Sequence, residues 1–191
     1  MSGTFTRFLG CLVLAMLIGA GSAVFRLKVL DSIDDVRVGP WRSSSLIGSP
    51  QASPMLRALV AVNGILALNH AQAIYFTASA DDDGQPLTGA CQYRVVGHDL
   101  PARWWSVTAY GADRFLIPNA QHRYSATRDS VSRDADGAFA ITIGTQPQPG
   151  DWIATQPGHF LLTLRAYAPE AILSGTPPSA LLPRIERAHC A

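Results

Sequence analysis

At 191 residues, 48% of them apolar and 15% charged, the chain is long enough for one well-buried domain plus an appended segment, and too apolar to remain unfolded. Two full domains would be cramped. A formal net charge of +1, with arginines scattered along the chain, supplies no long-range field for a polyanion and argues against nucleic acid as a partner.

Residues 8–25 (FLGCLVLAMLIGAGSAVF) carry no charge and lie between Arg7 and Arg26. At 1.5 Å per residue, such a run just crosses a hydrocarbon core of about 30 Å. The competing reading is a cleaved signal peptide with Gly21, Ser22 and Ala23 at the processing site. The apolar run continues through those small residues to Phe25, which favours an uncleaved anchor. Both readings export the remainder, so the expected location is the inner membrane, single-pass, with the C-terminal domain in the periplasm. Arg7 on one flank and Arg26 with Lys28 on the other leave the charge rule for orientation nearly silent.

Residues 26–52 mix charges with glycine, proline and a serine run, and read as a linker. Ser53-Pro54 then opens a helix with a cap residue and a first-turn proline. Its apolar stripe runs through Met55, Leu56, Leu59, Val62, Ile65, Leu66 and Leu68 towards Asn69. The expected division is therefore 1–25 as anchor or signal, 26–52 as linker, and 53–191 as a β domain with a leading helix.

From there the punctuation is that of strands. AIYFTAS stops at Asp81-Asp82-Asp83-Gly84, and GACQYRVV follows, which reads as a hairpin with acidic residues in its turn. The three aspartates lack the alternate-position ligands and distal glutamate of a calcium loop. WWSVTAY and RFLIP form a second expected pair around residues 111–113; GAFAITIGT and HFLLTLRAY follow, with a last strand near 181–187. Short strands separated by Gly, Asp and Pro turns predict a mainly β fold, an antiparallel jelly-roll-like sandwich, with an N-terminal transmembrane helix and one further helix. Cys91 and Cys190 are an even pair in an exported chain and are expected to form a disulfide.

The chemistry is less explicit. P-loop, HExxH and GxSxG signatures are absent, and His70, His98, His122, His159 and His189 show no metal-ligand spacing, so no metal or cofactor is assigned. Strand alternation puts Trp105, Val107 and Ala109 on one face of WWSVTAY, and Trp104, Ser106, Thr108 and Tyr110 on the other. The second face offers amphipathic rings to a ligand, unless a loop or helix covers them. Arg165 sits in LLTLRAY, where a partly buried guanidinium needs either a partner such as Asp151 or Asp113, or a bound carboxylate or phosphate. Asn119 in Pro118-Asn119 suits a turn or a sugar hydroxyl, and Arg123 and Tyr124 follow closely. The candidate ligand-binding residues are thus Trp104, Tyr110, Asn119, Arg123, Tyr124 and Arg165.

Several motifs in order carry a resemblance to a known family: DDDGQPL at 81–87, WWSVTAY, Asn119 with Arg123-Tyr124, Asp151-Trp152, and Arg165 with Tyr167-Ala168-Pro169. Together they resemble the DUF1214 domain, over roughly residue 75 to the C-terminus. Gln72 and Asp151 depart from the acidic residue and the asparagine that the family pattern leads one to expect there. The resemblance implies a jelly-roll-like β fold and an anchored periplasmic format, and supplies no catalytic residues. The functional expectation is an envelope-associated binding or accessory module for a glycan or other polar ligand. Two alternatives remain: a hydrolase using groups such as Asp151 and His122, and a structural partner of another membrane protein.

Overall fold

The structure, a computed structural model, describes residues 2–29 and 35–190. Helix α1 (Ser2–Val29) contains an apolar span, Gly3–Phe25, whose side chains are not buried against the rest of the chain. Its 23 residues reach about 34 Å at the α-helical rise, enough to cross a bilayer. It is a candidate membrane anchor or signal sequence.

Two sheets follow, and the fold is mainly β. The six-stranded sheet has the order β1 (Val36–Val38), β2 (Trp41–Ser43), β3 (Ala73–Ala78), β9 (Phe160–Pro169), β5 (Ala102–Gly111) and β6 (Ser125–Thr127). The four-stranded sheet runs β10 (Arg184–Cys190), β4 (Cys91–Gly97), β7 (Phe139–Gly144) and β8 (Trp152–Ala154). All pairs are antiparallel except β7 with β8. That parallel pair modifies the expected all-antiparallel sandwich; otherwise the two-sheet arrangement is consistent with a jelly-roll-like fold.

Alternation explains the core. Ile74, Phe76 and Ala78 of β3, Trp105, Val107 and Ala109 of β5, and Leu162, Leu164 and Ala166 of β9 share one buried cluster. Tyr93, Val95, Ile141, Ile143 and Ile185 of the smaller sheet complete it. Aromatic contacts bridge the sheets: Tyr93 meets Phe160 edge-on at 5.7 Å, and Trp105 meets Phe139 at 4.7 Å.

Several expectations are corrected. Part of the stretch read as linker supplies β1 and β2, whose Val36, Val38 and Trp41 are buried in the core. Trp41 also donates its indole N–H to the Pro183 carbonyl at 2.7 Å. Two short strands of three residues each are below the length at which alternation is readable. Helix α2 (Pro54–Val62) starts as expected, the Ser53 hydroxyl accepting from the Leu56 N–H at 3.2 Å, but stops at Asn63. Gly64 has φ +63°, its N–H bonds the Ala61 carbonyl, and Ile65 N–H bonds that of Val60. This doubly bonded left-handed cap ends the helix before Ile65, Leu66 and Leu68.

The expected hairpin across Asp81–Gly84 joins different sheets instead, since β3 pairs with β2 and β9 while β4 pairs with β10 and β7. RFLIP is not a strand; it touches β5 only through a bridge between Tyr110 and Leu116. Strand β5 takes β6 and β9 as neighbours because these offer longer ladders.

Asp81 is more than a turn residue. Its side chain is 1% exposed and pairs with Arg187 at 2.8 Å, while its Oδ1 accepts from the Gln85 N–H. The Arg187 guanidinium lies 5.6 Å from the Tyr93 ring centroid. Asp82 and Ile185 exchange backbone and side-chain hydrogen bonds beside this pair. Cys91 and Cys190 form a disulfide across facing positions of β4 and β10.

Removing one partner of a buried pair leaves an uncompensated charge. Arg187→Met is therefore expected to lower the unfolding free energy by about 3 kcal/mol, read as a reduced urea midpoint. Adding Asp81→Asn should recover part of that loss.

Candidate ligand-binding site

The outer face of the six-stranded sheet is polar where three strands meet. Register places Tyr75 of β3 beside Arg165 of β9, and Arg165 beside Ser106 of β5. One step along, Thr77, Thr163 and Thr108 line up; one step back, Tyr167 faces Trp104. The period of two that buries Leu164 and Ala166 inward thus delivers Thr163, Arg165 and Tyr167 outward.

Arg165 organises this face. It donates to the Thr108 hydroxyl at 3.1 Å and to the Tyr110 phenolic oxygen at 2.6 Å, and its guanidinium carbon lies 5.3 Å from the Tyr110 ring centroid. Among the described residues no carboxylate pairs with it. The expected partners are engaged elsewhere: Asp113 accepts from the Phe115 N–H, and Asp151 from the Ser132 N–H. Two of the five guanidinium donors are used, leaving three without a protein acceptor among the described residues.

The segment after α2 forms a wall. Tyr75 donates its hydroxyl to the Leu66 carbonyl at 2.7 Å, which pins that wall to the sheet and leaves Tyr75 7% exposed. Gly48 backs the same wall, because a Cβ there would fall 2.1 Å from the Leu68 carbonyl oxygen. Between the wall (Asn63, Gly64, Ile65 and Leu66) and the loop residues Arg114, Phe115 and Leu116 lies a cleft of about 380 Å³. Its floor carries Arg165, Tyr75, Tyr110 and Tyr167 with Thr77 and Thr163. Burial pushes the Tyr75 phenol above its ordinary range, reinforced by Tyr167 and opposed by the Arg165 charge.

The six sequence-predicted binding residues divide between two places. Arg165 and Tyr110 lie in the cleft. Trp104 lies on the same outer face but outside it, its ring 5.6 Å from that of Tyr167 and its indole N–H donating to Asp129 at 2.8 Å. Asn119, Arg123 and Tyr124 belong to the connection from β5 to β6. Asn119 is the turn residue there, accepting from the Arg123 N–H at 2.8 Å and donating to the Ile117 carbonyl. The Arg123 carbonyl accepts from Ala154 of β8, and Tyr124 meets His122 at 3.4 Å. These three do not line the cleft. No hydrogen bond joins His122 to Asp151 among the described residues, so the acid-base pair considered above is not assembled. No group of three or more His, Cys, Asp or Glu suited to a metal occurs among them either.

Sequence reading missed Tyr75, Tyr167 and the wall. The parity of Tyr167 with Arg165 was available in LLTLRAY, whereas the adjacency of Tyr75 depends on β3 pairing with β9.

The family model for DUF1214, described as a protein of unknown function, matches residues 72–171. The chain belongs to the DUF1214 family. Every floor residue of the cleft lies inside the match, and the wall lies outside it. The fold is similar to the crystal structure of the VPA0106 protein from Vibrio parahaemolyticus, with TM-score 0.61 and 19% identity over 90% of this chain. The chain spans 43% of that protein's length. A putative uncharacterized protein from Burkholderia cenocepacia aligns with TM-score 0.43 and 20% identity, over 61% of this chain and 29% of its own. No curated protein matches the DUF1214 chain.

Because Tyr75 holds its proton more tightly when folded than the ordinary 10.0, its contribution is fully present below that pH and declines as pH rises above it. Tyr75→Phe should cost about 1 kcal/mol at neutral pH by releasing the Leu66 carbonyl. The variant should also lose stability less steeply than the parent above pH 10, as measured by urea titrations in both ranges.

Proposed function

We propose that this DUF1214 protein is an exported, membrane-anchored binding module whose β unit, residues 35–190, captures a ligand bearing a phosphate or carboxylate. The observation that carries the reading is Arg165. A guanidinium held by a threonine and a tyrosine at the floor of a cleft, with no carboxylate partner among the described residues, is arranged to bind an anion. The positioning bonds fix its plane before any ligand arrives, which reduces the entropy lost on binding. Tyr110 and Tyr167 supply rings for the remainder of the ligand, and Thr163 supplies a hydroxyl. A disulfide and an N-terminal apolar helix support placement in the periplasm, where anionic envelope components are available.

This reading narrows the polar-ligand expectation. The site comprises Arg165, Tyr110, Thr163 and Tyr167, while Trp104 extends the face and Asn119, Arg123 and Tyr124 act in the neighbouring turn.

The test is calorimetric titration of the full chain in phosphatidylcholine nanodiscs with glycerol phosphate and glucuronate, against uncharged glycerol and glucose. The anionic member of each pair should bind more tightly. Arg165→Leu should weaken it about tenfold or more, since a hydrogen-bonded charge contributes about 1.5–3 kcal/mol. Equal affinity for charged and uncharged probes, or indifference to Arg165→Leu, would sink the proposal.

A further inference from the structure

The mouth of the cleft is unlike its floor. Phe115 is 74% exposed, Leu66 72%, Val62 67% and Leu116 46%. Outside α1, only Leu46 and Ile172 join them as exposed large apolar side chains among the described residues. Three of these six gather at one opening, and a fourth lies next to it in sequence. Leu66, Phe115 and Leu116 line it, and Val62 closes the last turn of α2 just before Asn63. Apolar residues gathered at a rim mark a contact surface, whereas scattered ones need no explanation.

The direction this rim faces is indicated by α1. The backbone of helix α1 comes within 8 Å of that of α2, the element that leads into the cleft wall. With the span Gly3–Phe25 in a bilayer, that contact brings α2 and the wall close to the lipid surface. An exposed Phe and three aliphatic side chains then stand where the acyl boundary begins, and Arg165 lies behind them. Apolar side chains in front of a cation are matched to an amphiphile, whose charged group reaches the floor while its chains stay among the rim residues.

We infer that the rim formed by Val62, Leu66, Phe115 and Leu116 inserts into the membrane interface, and that the cleft takes its anionic group from a lipid headgroup in that bilayer. The choice of an anionic lipid rests on the anion-binding reading above; the insertion itself does not. Insertion uses the rim alone, and none of the four residues bonds to Arg165.

The experiment uses the full chain in vesicles of phosphatidylcholine with phosphatidylglycerol, in a Cys11→Ser background so that the only reactive thiol is the one introduced. An environment-sensitive fluorophore is attached at Phe115→Cys or, as control, at Asp136→Cys in the exposed turn before β7. Lipids spin-labelled high on the acyl chain should quench the label at 115, with a blue-shifted emission, and leave the label at 136 unchanged. Leu66→Ser with Leu116→Ser should lose the quenching, and Arg165→Leu should retain it. A label at 115 as accessible to aqueous iodide as the control would overturn the inference. So would a label shielded from iodide yet untouched by spin-labelled lipid, which would mean that protein, such as a second copy of this chain, covers the rim.

The lipid source is read separately by native mass spectrometry after extraction from the same vesicles. Phosphatidylglycerol should be retained above its share, and that excess should disappear in Arg165→Leu. Retention at its share while glycerol phosphate still binds would overturn the lipid source alone. Failure of both would remove the anion-binding reading as well.

Discussion

Strands β5 and β9 run antiparallel through ten residues each, from Ala102 opposite Pro169 to Gly111 opposite Phe160, and the rest of the structure is arranged around that ladder. A period of two gives each strand an inward and an outward set of side chains. Inward lie Trp105, Val107, Leu162 and Leu164, fully buried against the second sheet. Outward lie Thr108, Tyr110, Thr163 and Arg165, which a sheet face can leave wet or cover. Here the segment after α2 covers β3 as far as Tyr75 and stops, leaving the β5–β9 seam open as a cleft.

The open seam is held rigid by connections made elsewhere. The Asp81–Arg187 pair joins the end of β3 to β10, Trp41 reaches Pro183 from β2, and the disulfide fastens β10 to β4. All three join chain segments roughly a hundred or more residues apart; the first two tie elements of the large sheet to β10 or the residue before it, while the disulfide fixes β10 to its neighbour within the smaller sheet. Asp99 does similar work around β5. Burial pushes its carboxyl up, but hydrogen bonds from Arg133 and Trp105, with the charges of Arg133 and Arg128, bring it below the ordinary range. The indole that anchors the inner face of β5 is thereby tied to the β6–β7 connection. A binding face on such strands keeps its geometry without help from a ligand.

What the sequence disclosed followed the range of the interactions involved. Local signals were readable: the uncharged run in α1, the Ser53 cap, the alternation that separated Trp105 from Trp104, and the parity within β9. Chain reversals were readable as turns, but not as joins between particular strands. The stretch at Asp81 punctuates any strand in the same way, whether the next one is a neighbour or belongs to the opposite sheet. Gly64 was visible within the helical stripe, yet a helix continuing to Asn69 and a capped helix stopping at Asn63 differ by two backbone hydrogen bonds that the stripe does not encode. For the same reason Arg165 was found and its company was not. A guanidinium in an apolar strand announces a need for partners, but Tyr110 and Tyr75 reach it through strand neighbours far off in sequence, and the anticipated aspartates had other uses.

The edge of the family match runs through the cleft, with the floor on one side of it and the wall on the other. Arg165, Tyr75, Tyr110 and Tyr167 lie within the residues that the family model matches, whereas Asn63 to Leu66 lie in the stretch before it, backed by Gly48 and pinned to the sheet by a single phenol. Exchange of that leading stretch would replace the wall and leave in place β5, β9 and the loop residues 114–116 on the other side of the cleft. A change confined to that stretch would therefore reshape the cleft while its floor stayed as it is.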